Sequence, residues 1–122
     1  MGYYIEFSKS TISISKQKSI KMMEELELHI ENLKPNWAWI NTDTIMVCCK
    51  ERDFIRLMEE LQYVIKIKND EYVIDGFLAD KLGDEIEILR IMAPFVDDGY
   101  IEMVGEDGEV IRWVFEDGKL KC

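Results

Sequence analysis

The sequence predicts an α+β fold: an antiparallel sheet built from hairpins, with about three helices packed on it. Three observations carry this. Apolar residues recur at steps of three and four in three separate stretches, the spacing of amphipathic helices. Four Asp-Gly pairs, Asp75-Gly76, Asp98-Gly99, Asp107-Gly108 and Asp117-Gly118, punctuate the C-terminal half, and both residue types tolerate the positive φ of tight turns. Short β-branched and aromatic runs flank several of these pairs. A chain of 122 residues, 48% apolar and 11% aromatic, is long enough to fold as a single globular domain, 1–122.

In chain order, residues 3–7 and 11–15 read as a first hairpin across Ser8-Lys9-Ser10. Ile20, Met23, Leu26, Ile30 and Leu33 then mark one face of a helix over about 17–33, stopped by Pro35. Ile45 to Cys49 is apolar on every side, so periodicity leaves strand and buried helix both open. Phe54, Leu57, Met58 and Leu61 mark a second helix over about 51–62. Residues 63–68 and 72–77 form a hairpin across Asn69-Asp70-Glu71. A third helix starts near Asp84, with Asp84 as its cap and Glu87 completing a capping-box spacing, and Pro94 kinks or ends its last turn. The tail is the clearest hairpin. Residues 100–105 pair with 109–116 across Glu106-Asp107-Gly108. Ile111, Trp113 and Phe115 turn to the core, and Arg112 lies across from Glu102.

Charge is distributed unevenly. Between Asp70 and Asp117 there are fifteen acidic residues and three basic ones, whereas residues 1–69 carry ten of each sign. Nearly all of the net charge of −10 therefore sits in the C-terminal half. A field of that sign repels phosphate backbones and anionic lipid and attracts basic protein surfaces.

From Lys81-Leu82-Gly83-Asp84-Glu85 through Ala93-Pro94-Phe95-Val96 and Gly99-Tyr100-Ile101-Glu102 to Gly105-Glu106-Asp107-Gly108 and Arg112-Trp113-Val114-Phe115, the chain shows a recurrent block. It resembles the C-terminal block of short acidic, mostly uncharacterised proteins encoded by phages and prophages of Gram-positive bacteria. The likeness covers residues 81–119, and its motifs are turn and core patterns. It implies a mobile-element accessory protein. Such proteins include inhibitors of host defence nucleases, some of which present acidic surfaces where nucleic acid would bind.

Catalytic and cofactor motifs are absent from the sequence. His29 is the only histidine, which leaves a histidine-based metal site without a second imidazole. Cys48 and Cys49 are adjacent and lack a Cys-x-x-Cys partner, so they read as small buried apolar residues. Three cysteines in all, the third being Cys122, do not make a disulfide framework, and we expect a reducing, cytoplasmic setting. The acidic turns carry adjacent carboxylates and not the alternating ones of a calcium loop, so no metal is expected. The opening MGYYIEFSKS has no basic start leading into an apolar stretch, and no signal peptide is read there. No apolar run approaches the roughly 20 residues of a membrane helix. Lys9, Lys16, Lys18 and Lys21 lack interleaved aromatics and read as a solvated helix start.

The expected function is a non-enzymatic acidic protein-binding module. Its partner is the basic surface of another protein, with no direct nucleic acid and no membrane. The expected contact residues are Glu102, Glu106, Asp107, Glu109, Glu116 and Asp117 on one carboxylate-rich face, with Trp37 and Trp39 as aromatic anchors, although the tryptophans read more readily as a lid on the core. The alternative is a small enzyme or binder acting on a signal nucleotide or other small ligand.

Overall fold

Polar side chains cap the starts of α-helices along the first half of the chain. In the computed structural model, which describes residues 5–35, 37, 40–78 and 85–121, the Ser15 hydroxyl accepts the Lys18 N–H at 3.2 Å and opens α1 (Lys16–Leu33). The Asn41 and Asp53 side chains do the same for α2 (Thr42–Glu51) and α3 (Phe54–Glu60). Lys34 and Arg52 close α1 and α2 in the left-handed conformation, at φ 46° and 57°. Ile45 to Cys49 is therefore helical, which settles the alternative left by its periodicity. The predicted helix over 51–62 is shorter at its start: Arg52 turns the chain, and α3 begins at Phe54. On α1 the buried stripe is Ser19, Met22, Met23, Leu26 and Ile30, while Ile20 and Leu33 stand 42% and 68% exposed. The predicted face was thus rotated toward solvent at both ends.

The strands form two antiparallel sheets where one was expected. The first has the order β1-β5-β6-β7, built from β1 (Ile5–Ser10), β5 (Gly99–Gly105), β6 (Val110–Glu116) and β7 (Lys119–Lys121). The second has the order β2-β4-β3, from β2 (Ser13–Ser15), β3 (Tyr63–Lys68) and β4 (Glu71–Phe77). The predicted hairpin across Ser8-Lys9-Ser10 does not form. Those three residues lie within β1, which pairs with β5, whereas β2 pairs with β4. Thr11 and Ile12 make the crossing: Thr11 N–H donates to the Tyr100 carbonyl at 2.9 Å, and the Ile12 carbonyl accepts Ile74 N–H at 3.2 Å. Local alternation predicted the strands but not their partners, because register is set by distant pairing.

Asn69 and Asp70 both have positive φ, so the β3–β4 connection is a two-residue turn and Glu71 already belongs to β4. Asp117 and Gly118 repeat this geometry between β6 and β7, a strand that the sequence reading did not anticipate. In β5–β6, Glu102 pairs with Arg112 and Ile101 with Trp113, as the alternation predicts. Ile101, Met103, Trp113 and Phe115 face the core, which they share with Leu26, Ile45, Leu57, Ile88 and Met92 of the helices. The Asp84 cap lies outside the described residues. Helix α4 (Glu85–Met92) runs into a 3-10 turn at Ala93–Phe95, where Pro94 cannot continue an α-helix.

Candidate interaction surfaces

Glu102, Glu116 and Trp37 make side-chain bonds within the fold. Glu102 is 8% exposed. Its carboxylate accepts from Arg112 Nε at 2.7 Å and from the Ser8 hydroxyl at 3.0 Å. The Arg112 bond holds Glu102 below the usual carboxylate range against the opposing effect of burial, with help from Ser8 and Lys9. The Arg112 guanidinium also lies 4.7 Å from the Tyr100 ring centroid, and Lys9 stands 5.8 Å from the same ring. Glu102 is thus tied into the sheet, with little of its carboxylate left to solvent. Glu116 pairs with Lys121 at 3.1 Å. Trp37 is half-buried against the core, and its indole N–H donates to Glu87 at 3.0 Å, so its polar end is committed inside the molecule. Trp39 lies outside the described residues.

The remaining carboxylates separate. Glu106, Asp107 and Glu109 occupy the β5–β6 turn, where Asp107 also accepts the Glu109 N–H at 3.1 Å. Asp117 lies at the opposite end of β6, roughly 25 Å from the turn at strand rise. Between the two ends, the register puts Lys119 and Lys121 on the same side as Arg112, Val114 and Glu116. The middle of this face is therefore mixed in charge, and the expected single acidic face is divided into two ends.

One of those ends gathers residues that the sequence reading did not group. Asp98 Oδ1 accepts the Asp117 N–H at 3.2 Å, and Gly118 packs on Pro94, whose Cα lies 3.6 Å from the position a Cβ would take. Asp97, Asp98 and Asp117 are all exposed, and among the described residues none of them makes an ion pair. The available signal was the Asp98-Gly99 pair, which marks a chain reversal but not what it meets.

A second arrangement joins α1 to α4. Glu87 Oε2 accepts from Trp37 Nε1 and meets His29 Nε2 at 2.9 Å. The Glu87 carboxylate thus accepts from both side chains, the imidazole donating through Nε2. His29 lines a cleft of about 370 Å³ with Glu25, Arg90, Ile91, Pro94 and Phe95. His29 reads in the sequence as a lone histidine, and its partner 58 positions away was not legible there.

Cys48 and Cys49 are buried within α2. Burial pushes the Cys49 thiol up to about 12, with Cys48 and Glu27 adding to it, and burial also raises Cys48. Both act as core residues. Lys16, Lys18 and Lys21 are exposed at the start of α1. Among the described residues, no cluster of three His, Cys, Asp or Glu side chains is placed to hold a metal ion, and no helix is long and apolar enough to cross a membrane.

The fold is that of an α+β protein with two antiparallel sheets. No family model matches the chain, and no solved structure matches it. It is 36% identical over 73 residues to an uncharacterized protein of Mycoplasma pneumoniae, an alignment covering 57% of this chain and 21% of that protein. The chain thus spans about a fifth of the length of this relative.

Proposed function

We propose that the chain is a non-enzymatic protein-binding module that docks on a basic protein surface in a reducing bacterial cytoplasm. Following the resemblance of residues 81–119, its partner is a host nucleic-acid-handling or defence protein, inhibited by a mobile-element accessory protein. The observation that carries the reading is the gathering of Asp97, Asp98 and Asp117, without internal counter-charges among the described residues, beside Pro94. Exposed like charges held together at a turn raise the local potential and speed encounter with a cationic surface. Glu106, Asp107 and Glu109 add a second acidic end. Glu102 and Glu116 contribute less, because Arg112 and Lys121 neutralise them locally.

The test is capture from a Gram-positive host lysate by the immobilised chain and by the Asp97→Lys/Asp98→Lys/Asp117→Lys variant. A basic protein retained by the wild type, lost from the variant and released by salt supports the reading. Equal retention by both, or no basic protein on the wild type, rejects it.

A further inference from the structure

The α1–α4 cleft combines three features that a docking surface for a basic protein does not need. Its apolar wall is Ile91, Pro94 and Phe95. Its polar rim carries opposite charges from different helices, Glu25 from α1 and Arg90 from α4. The two side chains do not pair with each other within 4 Å, and among the described residues neither side chain makes a hydrogen bond or ion pair. The third feature is His29, held by Glu87, which in turn is fixed by Trp37. That chain of bonds orients the imidazole at the cleft wall.

From these features we infer that the cleft binds a free α-amino acid with an apolar side chain. Such a ligand offers an ammonium to Glu25, a carboxylate to Arg90 and a hydrocarbon group to Ile91 and Phe95. A cavity of about 370 Å³ lies at the small end of the roughly 300–1,000 Å³ range of ligand sites, which suits a molecule of this size. Nucleotide phosphates would meet Glu25 and the net charge of −10. A lysine or arginine side chain from a partner would gain Glu25 but face Arg90. Only a zwitterion uses both charges. Pro94 borders both this cleft and the acidic end, but Glu25 and Arg90 are not among the acidic residues invoked for docking, so substitutions there and at Asp97, Asp98 and Asp117 test the two proposals separately.

The experiment is a ¹⁵N-resolved NMR titration of the full chain with L-phenylalanine, N-acetyl-L-phenylalanine and L-phenylalaninamide. L-phenylalanine binds at millimolar concentration and shifts resonances of α1 and α4 around Glu25 and Arg90. Blocking either charged end weakens binding about fivefold, as does the matching substitution, Glu25→Gln for the ammonium and Arg90→Gln for the carboxylate. Glu25→Gln leaves the N-acetyl compound's affinity unchanged, and Arg90→Gln leaves the amide's unchanged. The same spectra report whether each variant is folded. Equal affinity for all three compounds, additive losses where the pairing predicts none, or no shift at saturating L-phenylalanine overturns the assignment.

Discussion

The two adjacent thiols of α2 are predicted to be chemically silent in the folded protein. The perturbation is Ellman's reagent applied to a Cys122→Ser variant, which leaves Cys48 and Cys49 as the reactive groups. Only the thiolate attacks a disulfide. At pH 8 a thiol with the ordinary value of 9.0 is ionised to about one part in ten, whereas Cys49, pushed up to about 12, is ionised to about one part in ten thousand. The thiolate population alone therefore slows Cys49 about a thousandfold. Burial of both sulfurs adds a steric block, so reaction must wait for opening of the fold. The folded variant should show no fast-reacting thiol, and two should appear in denaturant. The same shift has a stability consequence. Because the folded value lies above the unfolded one, the thiol's contribution is intact below pH 9 and is lost as pH rises toward 12. By pH 10 the loss from Cys49 is about 1.4 kcal/mol, read as a fall in urea midpoint that Cys49→Ala reduces. A thiol that reacts within seconds in the native variant at pH 8 would refute the reasoning.

Two further outcomes follow from the sheet geometry. Glu102 is held below its ordinary value of 4.5, so its contribution to stability is present above that pH and lost as pH falls through the depressed value. Between pH 6 and pH 3 the urea midpoint of the wild type should fall further than that of Glu102→Gln, and an equal fall in both would show that the Arg112 bond is not formed in solution. Gly99→Ala would place a Cβ 2.6 Å from Thr11 Oγ1 and 3.1 Å from the Thr11 carbonyl, an overpacking cost of about 1–3 kcal/mol at the crossing between sheets. Gly118→Ala has room, with 3.6 Å to Pro94, but its φ of 73° costs about 1 kcal/mol, and thermal unfolding of the two variants should rank them in that order.

The parts of the fold legible in the sequence were those fixed by neighbours in the chain. Met23, Leu26 and Ile30 announce α1, and Asp107-Gly108 with the alternation of Trp113 and Phe115 announces β5–β6. Even the Glu102–Arg112 pair follows from hairpin register. What could not be read depends on residues far apart. Ser8 to Ser10 looked like a turn because flanking strands of similar pattern suggest a hairpin, yet β5 claims this segment across 94 positions. Arg52 offers no compositional sign that it breaks α2 from α3. For the surfaces, counting charges located an acidic half but not the pairing of Glu116 with Lys121 on β7, a strand the sequence did not announce. His29 looked solitary because its carboxylate partner lies on another helix.

Residues 5–15 serve as a clasp, one end woven into each sheet. Both of its strands wait on segments made much later, β2 on residues 71–73 and β1 on residues 101–105. During synthesis β1 therefore stays unclaimed until residues 101–105 have emerged, and the first sheet closes only by joining strands about 90–100 residues apart.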